Sequence, residues 1–155
     1  MSLLAKVITV SDGVVAGTRD DNSGDALEAH LSQHGFDVVE RIVTADGTKA
    51  VGDTLRTACR GFSGLVVTTG GTGFGPRDLT PEGTLAVLER EAPGLAEAMR
   101  LVSPLGRLSR AVAGTVGQAL ILNTPGSTAG CIETLDAVLD VVPHALELLA
   151  GQRPH

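Results

Sequence analysis

At 155 residues, 43% hydrophobic and 19% charged, the chain has the size and balance of one globular domain that buries its core without disulfides or structural metal. With three Phe, no Tyr, no Trp and a net charge of −6, it lacks the aromatic platforms of single-strand binders and the basic footprint of proteins that bind nucleic acid or anionic membrane. Cys59 and Cys131 fit no zinc spacing, the first residues carry no signal-peptide pattern, and no apolar run nears the ~20 residues of a membrane span. Free thiols and a cytoplasmic protein are the expectation.

Strands and helices alternate along the chain. Residues 5–10 form a short apolar strand that ends in Ser11-Asp12-Gly13. Asn22 or Ser23 can cap a helix carrying Ala26, Leu27 and Leu31, which Gly35 stops. Residues 37–43 are rich in β-branched side chains and read as the second strand. Residues 48–62 place Val51, Leu55, Cys59 and Phe62 on one helical face. Residues 64–69 are a continuous apolar strand of the kind buried on both faces. A glycine-rich loop follows, and Thr80-Pro81 opens a helix with Thr80 as a good N-cap.

The apolar seam over residues 95–105 fits either the core or a contact between subunits. Residues 112–115 and 119–123 can pair as a hairpin across Gly117-Gln118, or the second can be a buried parallel strand. A last helix starts near Ser127 and carries Ile132, Leu135, Leu139 and Val142, with Pro143 kinking or restarting it. The alternation predicts an α/β fold with a largely parallel sheet, whose ligands bind beyond the carboxyl ends of the strands. Three loops fall there: residues 11–13, 68–78 and 123–127.

The middle loop carries the chemistry. Thr68-Thr69-Gly70-Gly71-Thr72-Gly73-Phe74-Gly75-Pro76-Arg77-Asp78 holds four glycines within six residues, which permits close backbone approach and a nest of N–H groups for an anion. It lacks the Lys-Ser/Thr ending of a P-loop and does not fit the dinucleotide fingerprint. Asp78 reads either as a dipole partner for the helix at Pro81 or as a Mg²⁺ ligand beside a phosphate-cradling loop. Asp46 is the natural second carboxylate, or else a cap for the helix from Thr48. Pro125-Gly126-Ser127-Thr128 leads into a helix N-terminus, suited to phosphate or to simple capping. Arg107, Ser109 and Arg110 form either a solvated patch or an anion-binding edge. His30, His34, His144 and His155 are read as surface or partly packed residues without chemistry.

Val10-Ser11-Asp12, Asn22-Ser23-Gly24 and Gly70-Gly71-Thr72-Gly73-Phe74-Gly75-Pro76-Arg77-Asp78-Leu79-Thr80-Pro81-Glu82 together resemble the Mog/MoaB family of molybdenum cofactor biosynthesis. Leu108-Ser109-Arg110 with Ala113-Gly114, and Asn123-Thr124-Pro125-Gly126, extend the resemblance over residues 7–149. It implies a single three-layer α/β/α domain, a homotrimer, and Mg²⁺-dependent transfer of AMP from ATP to molybdopterin. A molybdate-insertion enzyme acting in trans is the implied partner. Asp46 and Asp78 take the catalytic and metal-binding positions by that resemblance. Ser11, Asp12, Thr69, Gly70, Gly71, Thr72 and Gly73 fall in binding segments, the glycines on the nucleotide. Ser109 and Arg110 match the pterin side, and Pro125, Gly126 and Ser127 line the pocket. A non-catalytic molybdopterin-binding paralogue is the alternative.

Overall fold

The computed structural model describes residues 3–152. Six strands form one sheet: β1 (Leu3–Val10), β2 (Phe36–Thr44), β3 (Gly64–Thr69), β4 (Arg90–Glu91), β5 (Ala113–Val116) and β6 (Ala119–Thr124), in the order β2-β1-β3-β6-β5-β4. The first four strands in that order run parallel, and β5 and β4 are antiparallel additions at one side. Both alternatives for residues 119–123 therefore hold at once. β6 pairs with β5 across the Gly117 turn and lies parallel to β3 on its other side.

Every residue of β3 and β6 is buried, because helices cover both sheet faces. The period-two alternation of a strand splits their side chains between two cores. Leu65, Val67, Leu120 and Leu122 pack with Leu27 and Leu31 of α2 (Asn22–Gln33), Met99 of α5 (Pro93–Arg100), Leu135 of α6 (Thr128–Asp136) and Val142 of α7 (Val142–Leu149). Val66 and Ile121 face the other way, onto Val51, Leu55 and Ala58 of α3 (Thr48–Cys59). The result is a three-layer α/β/α sandwich. Two short helices, α1 (Asp12–Val15) and α4 (Thr80–Leu85), start from loops at the strand ends. No helix among the described residues is long and apolar enough to cross a membrane.

Several local expectations are corrected. Asp21, not Asn22 or Ser23, caps α2, accepting from the Gly24 N–H at 3.1 Å. The same carboxylate accepts from Thr9 Oγ1 at 2.8 Å and from Arg41 at 2.6 Å, so one side chain ties β1, β2 and α2 together. α3 stops at Cys59 because Arg60 is extended and Gly61 adopts φ +64°; Phe62 still packs on that core from outside the helix. Thr80 is the first residue of α4 rather than its cap, and its hydroxyl donates to the Gly70 carbonyl at 2.9 Å. Asp46 does not cap α3, which has no side-chain cap. Of the two expectations for Pro143 the restart holds: the last helix is two, with Pro143 in the first turn of α7. The apolar seam divides: Ala96 and Met99 join the core, whereas Leu101 and Leu105 are 85% and 74% exposed.

Candidate active site

Register brings the loops together. Val10 of β1 pairs with Thr44 of β2, Thr9 with Thr69 of β3, and Thr69 with Thr124 of β6, so four parallel strands end in one row. Beyond that row opens a cavity of about 680 Å³. Its walls include Ser11, Asp46, Thr69 to Gly73, Asp78, Ser109 and residues 125–128.

The glycine loop is pinned tightly. Gly70 donates to the Thr124 carbonyl at 3.1 Å, and Thr80 N–H returns to the Gly71 carbonyl at 3.0 Å. Of the four glycines only Gly70 and Gly71 adopt positive φ, +104° and +70°. With Gly70 N–H committed to Thr124 and Gly75 N–H to Asp78, the expected nest shrinks to Gly71, Thr72 and Gly73, whose N–H groups donate to no described acceptor. A Cβ on Gly71 would meet Asp46 Oδ1 at 3.2 Å, and one on Gly73 would meet Asp78 Oδ2 at 3.1 Å. The two carboxylates thus lean on the loop from positions two residues apart.

Each carboxylate is held by one oxygen. Asp46 Oδ2 accepts from the Asp12 N–H at 2.9 Å, and Asp78 Oδ2 accepts from the Gly75 N–H at 2.9 Å. Asp78 therefore bonds back to its own loop and does not cap α4. Neither remaining oxygen accepts a bond from a described donor, an arrangement suited to a shared cation.

Asp12 and Arg77 have a different task. Asp12 and Asp46 both stand two residues past the paired ends of β1 and β2, and Asp46 N–H donates to Asp12 Oδ1 at 3.1 Å. Arg77 grips Asp12 through Nε to Oδ2 at 2.6 Å and Nη2 to Oδ1 at 3.2 Å, and also donates to the Asp46 carbonyl at 3.0 Å. The hydrogen bond from Arg77 holds the Asp12 carboxyl below the usual range. Asp12 does not line the cavity; it positions Asp46.

Arg110 is also outside the cavity lining, although its neighbour Ser109 belongs to it. Its guanidinium donates to the Gly73 carbonyl at 2.8 Å, to Glu82 at 2.6 Å and to the Asp78 carbonyl, clamping the loop from behind. The hydrogen bond from Arg110 lowers the Glu82 pKa. One ammonium cannot reproduce this planar fork. Arg110→Lys is expected to lose about 1–2 kcal/mol of stability by chemical denaturation and to expose residues 72–78 to protease. An unchanged midpoint with an uncut loop would show that the clamp is dispensable.

The opposite wall is equally tied. Thr69 Oγ1 donates to the Pro125 carbonyl at 2.8 Å and accepts from Ser23 Oγ at 3.1 Å, and Ser127 caps α6 by accepting from the Gly130 N–H at 3.0 Å. The residues alone did not single out Arg19, Asp20 and Asp21, which also line the cavity beside Asn22 of the resembling segment. The available signal was their place in the loop after the first strand. Among the described residues, four aspartates and one arginine are the charged side chains of the lining. A smaller cavity of about 290 Å³ adjoins, sharing Leu105, Ser109, Pro125 and Ser127 with the first and adding Met99, Arg100 and Ala111.

The family described as a probable molybdopterin binding domain matches residues 6–144. A molybdopterin adenylyltransferase of Helicobacter pylori strain J99 is 36% identical over 152 residues, covering 94% of this chain and 86% of the relative. The molybdopterin biosynthesis enzyme MoaB of Thermus thermophilus superposes with a TM-score of 0.89 at 44% identity, covering 97% of this chain and 98% of that one. The molybdopterin biosynthesis Mog protein of Mycobacterium ulcerans gives a TM-score of 0.89 at 42% identity, covering 98% and 99% of the two chains. With that match, those identities and the glycine loop set between Asp46 and Asp78, the chain belongs to the Mog/MoaB family of molybdenum cofactor biosynthesis proteins.

Proposed function

We propose that the chain is a molybdopterin adenylyltransferase, which joins AMP from ATP to the terminal phosphate of molybdopterin and releases pyrophosphate. The observation that carries this reading is the pair Asp46 and Asp78, each with one uncommitted oxygen, flanking free N–H groups in a cavity large enough for a nucleotide. The small cavity beyond Ser109 is the place for the pterin, so that Ser109 borders both substrates.

A lining of four aspartates and one arginine repels a triphosphate unless cations accompany it. That charge balance fits Mg²⁺ held by Asp46 and Asp78. Bound there, the ion would neutralise the phosphates and stabilise the departing pyrophosphate. The chain's own groups do the positioning. The N–H groups of Gly71, Thr72 and Gly73 orient phosphate oxygens, and Arg19 supplies the one cationic side chain of the lining. A phosphate oxygen of molybdopterin attacks the α-phosphorus of ATP, the α–β bridge breaks, and pyrophosphate leaves with the bonding electrons. The step as written requires no protein nucleophile, and Cys59 and Cys131, whose thiols burial pushes up to about 11, line neither cavity.

The same reading includes a homotrimer, cytoplasmic location and hand-over to a molybdate-insertion enzyme. The exposed side chains of Leu101, Leu105 and Leu108 supply the apolar surface that a subunit contact requires. A purely molybdopterin-binding paralogue is the second reading, disfavoured because binding alone has no use for two half-committed carboxylates. The test is turnover of purified protein with molybdopterin, ATP and Mg²⁺. Pyrophosphate and adenylylated product in equal amounts, both dependent on pterin and metal, are expected. Tight pterin binding without pyrophosphate would assign the chain to the paralogue instead.

A further inference from the structure

At the opposite ends of the helices from the cavity lies a cluster to which the sequence reading assigned no chemistry. His30 and His34 stand four residues apart at the end of α2, where such a spacing puts both rings on one face. Asp136 is the last residue of α6, which packs beside α2. His30 Nε2 lies 2.6 Å from Asp136 Oδ1, and the two imidazole rings are 4.3 Å apart between centroids. One ring nitrogen of each histidine and one oxygen of Asp136 all fall within 4.8 Å of one another. We infer that His30, His34 and Asp136 form a second metal site, specific for a borderline transition-metal ion of the zinc type, that clamps α2 to α6.

Three features carry this beyond a helix-to-helix ion pair. An ion pair needs only His30 and Asp136, and does not call for the His34 ring to lie 4.3 Å from that of His30. His34 Nδ1 lies 2.8 Å from the His30 carbonyl, so a proton on Nδ1 donates there and Nε2 keeps its lone pair for a metal. Histidine ligands are commonly oriented by such a bond from the second nitrogen to a backbone carbonyl. Two imidazoles and one carboxylate are also a donor set for zinc, with a fourth position left for water, whereas Mg²⁺ prefers oxygen donors alone. Bonds of ~2.0–2.2 Å in a tetrahedral site put ligand atoms roughly 3.3 Å apart, which the present spacing reaches by small side-chain movements.

The position gives the site a consequence. The cap and first residues of α2, Asp21 to Ser23, and those of α6, Ser127 and Thr128, all line the large cavity. Joining the far ends of these two helices fixes their relative placement, and so holds two cavity walls from about 12 Å away along α2. His30, His34 and Asp136 line neither cavity, so the site stands independently of the adenylyltransferase reading.

The experiment titrates chelator-treated full-length protein with Zn²⁺ by calorimetry, without nucleotide, and repeats the titration with Co²⁺ while following its visible absorption. One equivalent of Zn²⁺, intense tetrahedral Co²⁺ bands and a raised thermal midpoint are expected for the unaltered chain. His34→Gln and Asp136→Asn, both at exposed positions, should each weaken Zn²⁺ binding about 10–100-fold or more, the scale on which even outer-shell partners act. Both should also remove the thermal shift while keeping the metal-free fold. Asp46→Asn with Asp78→Asn should leave the Zn²⁺ titration unchanged. The inference is overturned if His34→Gln binds Zn²⁺ as tightly as the unaltered chain. It is overturned too if the Asp46/Asp78 pair accounts for the bound ion, or if Zn²⁺ fails to saturate at one equivalent.

Discussion

Asp78→Asn is expected to lower adenylyl transfer by at least ~10²–10³-fold while leaving molybdopterin binding within about twofold. Asparagine keeps the shape of aspartate and still offers an oxygen to the Gly75 N–H, which the native side chain accepts at 2.9 Å. The loop therefore keeps its form, and what is lost is one negative charge beside the cation and the phosphates. Asp46→Asn should behave in the same way, since its amide oxygen can still accept from the Asp12 N–H. A second readout separates an electrostatic role from a merely structural one. Without divalent metal, either variant should bind ATP at least as tightly as the unaltered chain, because one of the four carboxylates of the lining has been neutralised. With Mg²⁺ the order should reverse. Single-turnover pyrophosphate release and equilibrium nucleotide binding, each with and without metal, decide it. Full turnover in Asp78→Asn would remove that residue from the chemistry.

Gly70→Ala should be the most damaging single methyl in the protein's loops, costing about 2–4 kcal/mol of folding free energy. Two penalties combine. The residue sits at φ +104°, where an L side chain is strained, and its Cβ would fall on the Val10 carbonyl oxygen. That carbonyl belongs to a central strand paired on both sides, so it cannot give way cheaply. Gly117→Ala provides the comparison, with a positive φ of +57° in the left-handed helical region and nothing within 4 Å of its Cβ. It should cost only about 1 kcal/mol. Denaturant midpoints of the two variants give the difference directly, and equal losses would show that backbone strain alone governs Gly70.

The glycine loop marks how far periodicity and composition can reach. Residues 64–69 carry no charge and only β-branched threonines after the apolar run, so burial on both faces follows from the residues themselves, and the strand has the same bounds. The loop after it stands out by its glycines, whereas Asp46 and Asp78, each of which also reads as a helix cap or dipole partner, are singled out only by the family resemblance. The roles of the arginines could not be read. Arg77 stands in the loop read as cradling phosphate, yet its guanidinium is spent on Asp12, 65 residues earlier in the chain. Arg110 was placed on the pterin side by resemblance, and its guanidinium instead braces Gly73, Asp78 and Glu82 from behind. A long cationic side chain has several carboxylates and carbonyls within its reach, and only the folded chain selects among them.

By itself, then, the sequence determined the α/β alternation, the buried strands and the loops that gather at one end of the sheet. These depend on local patterns: alternation in strands, helical spacing, and glycine where the backbone must bend. Tertiary structure decided which residues meet. The Asp12–Asp46 exchange needs β1 and β2 to end in register, and Arg19 enters the cavity only through the path of the loop between α1 and α2. The approach of His30 to Asp136 spans 106 residues and exists because both helices pack on the same sheet face. Such contacts follow from strand order and register, which no local window of the chain contains.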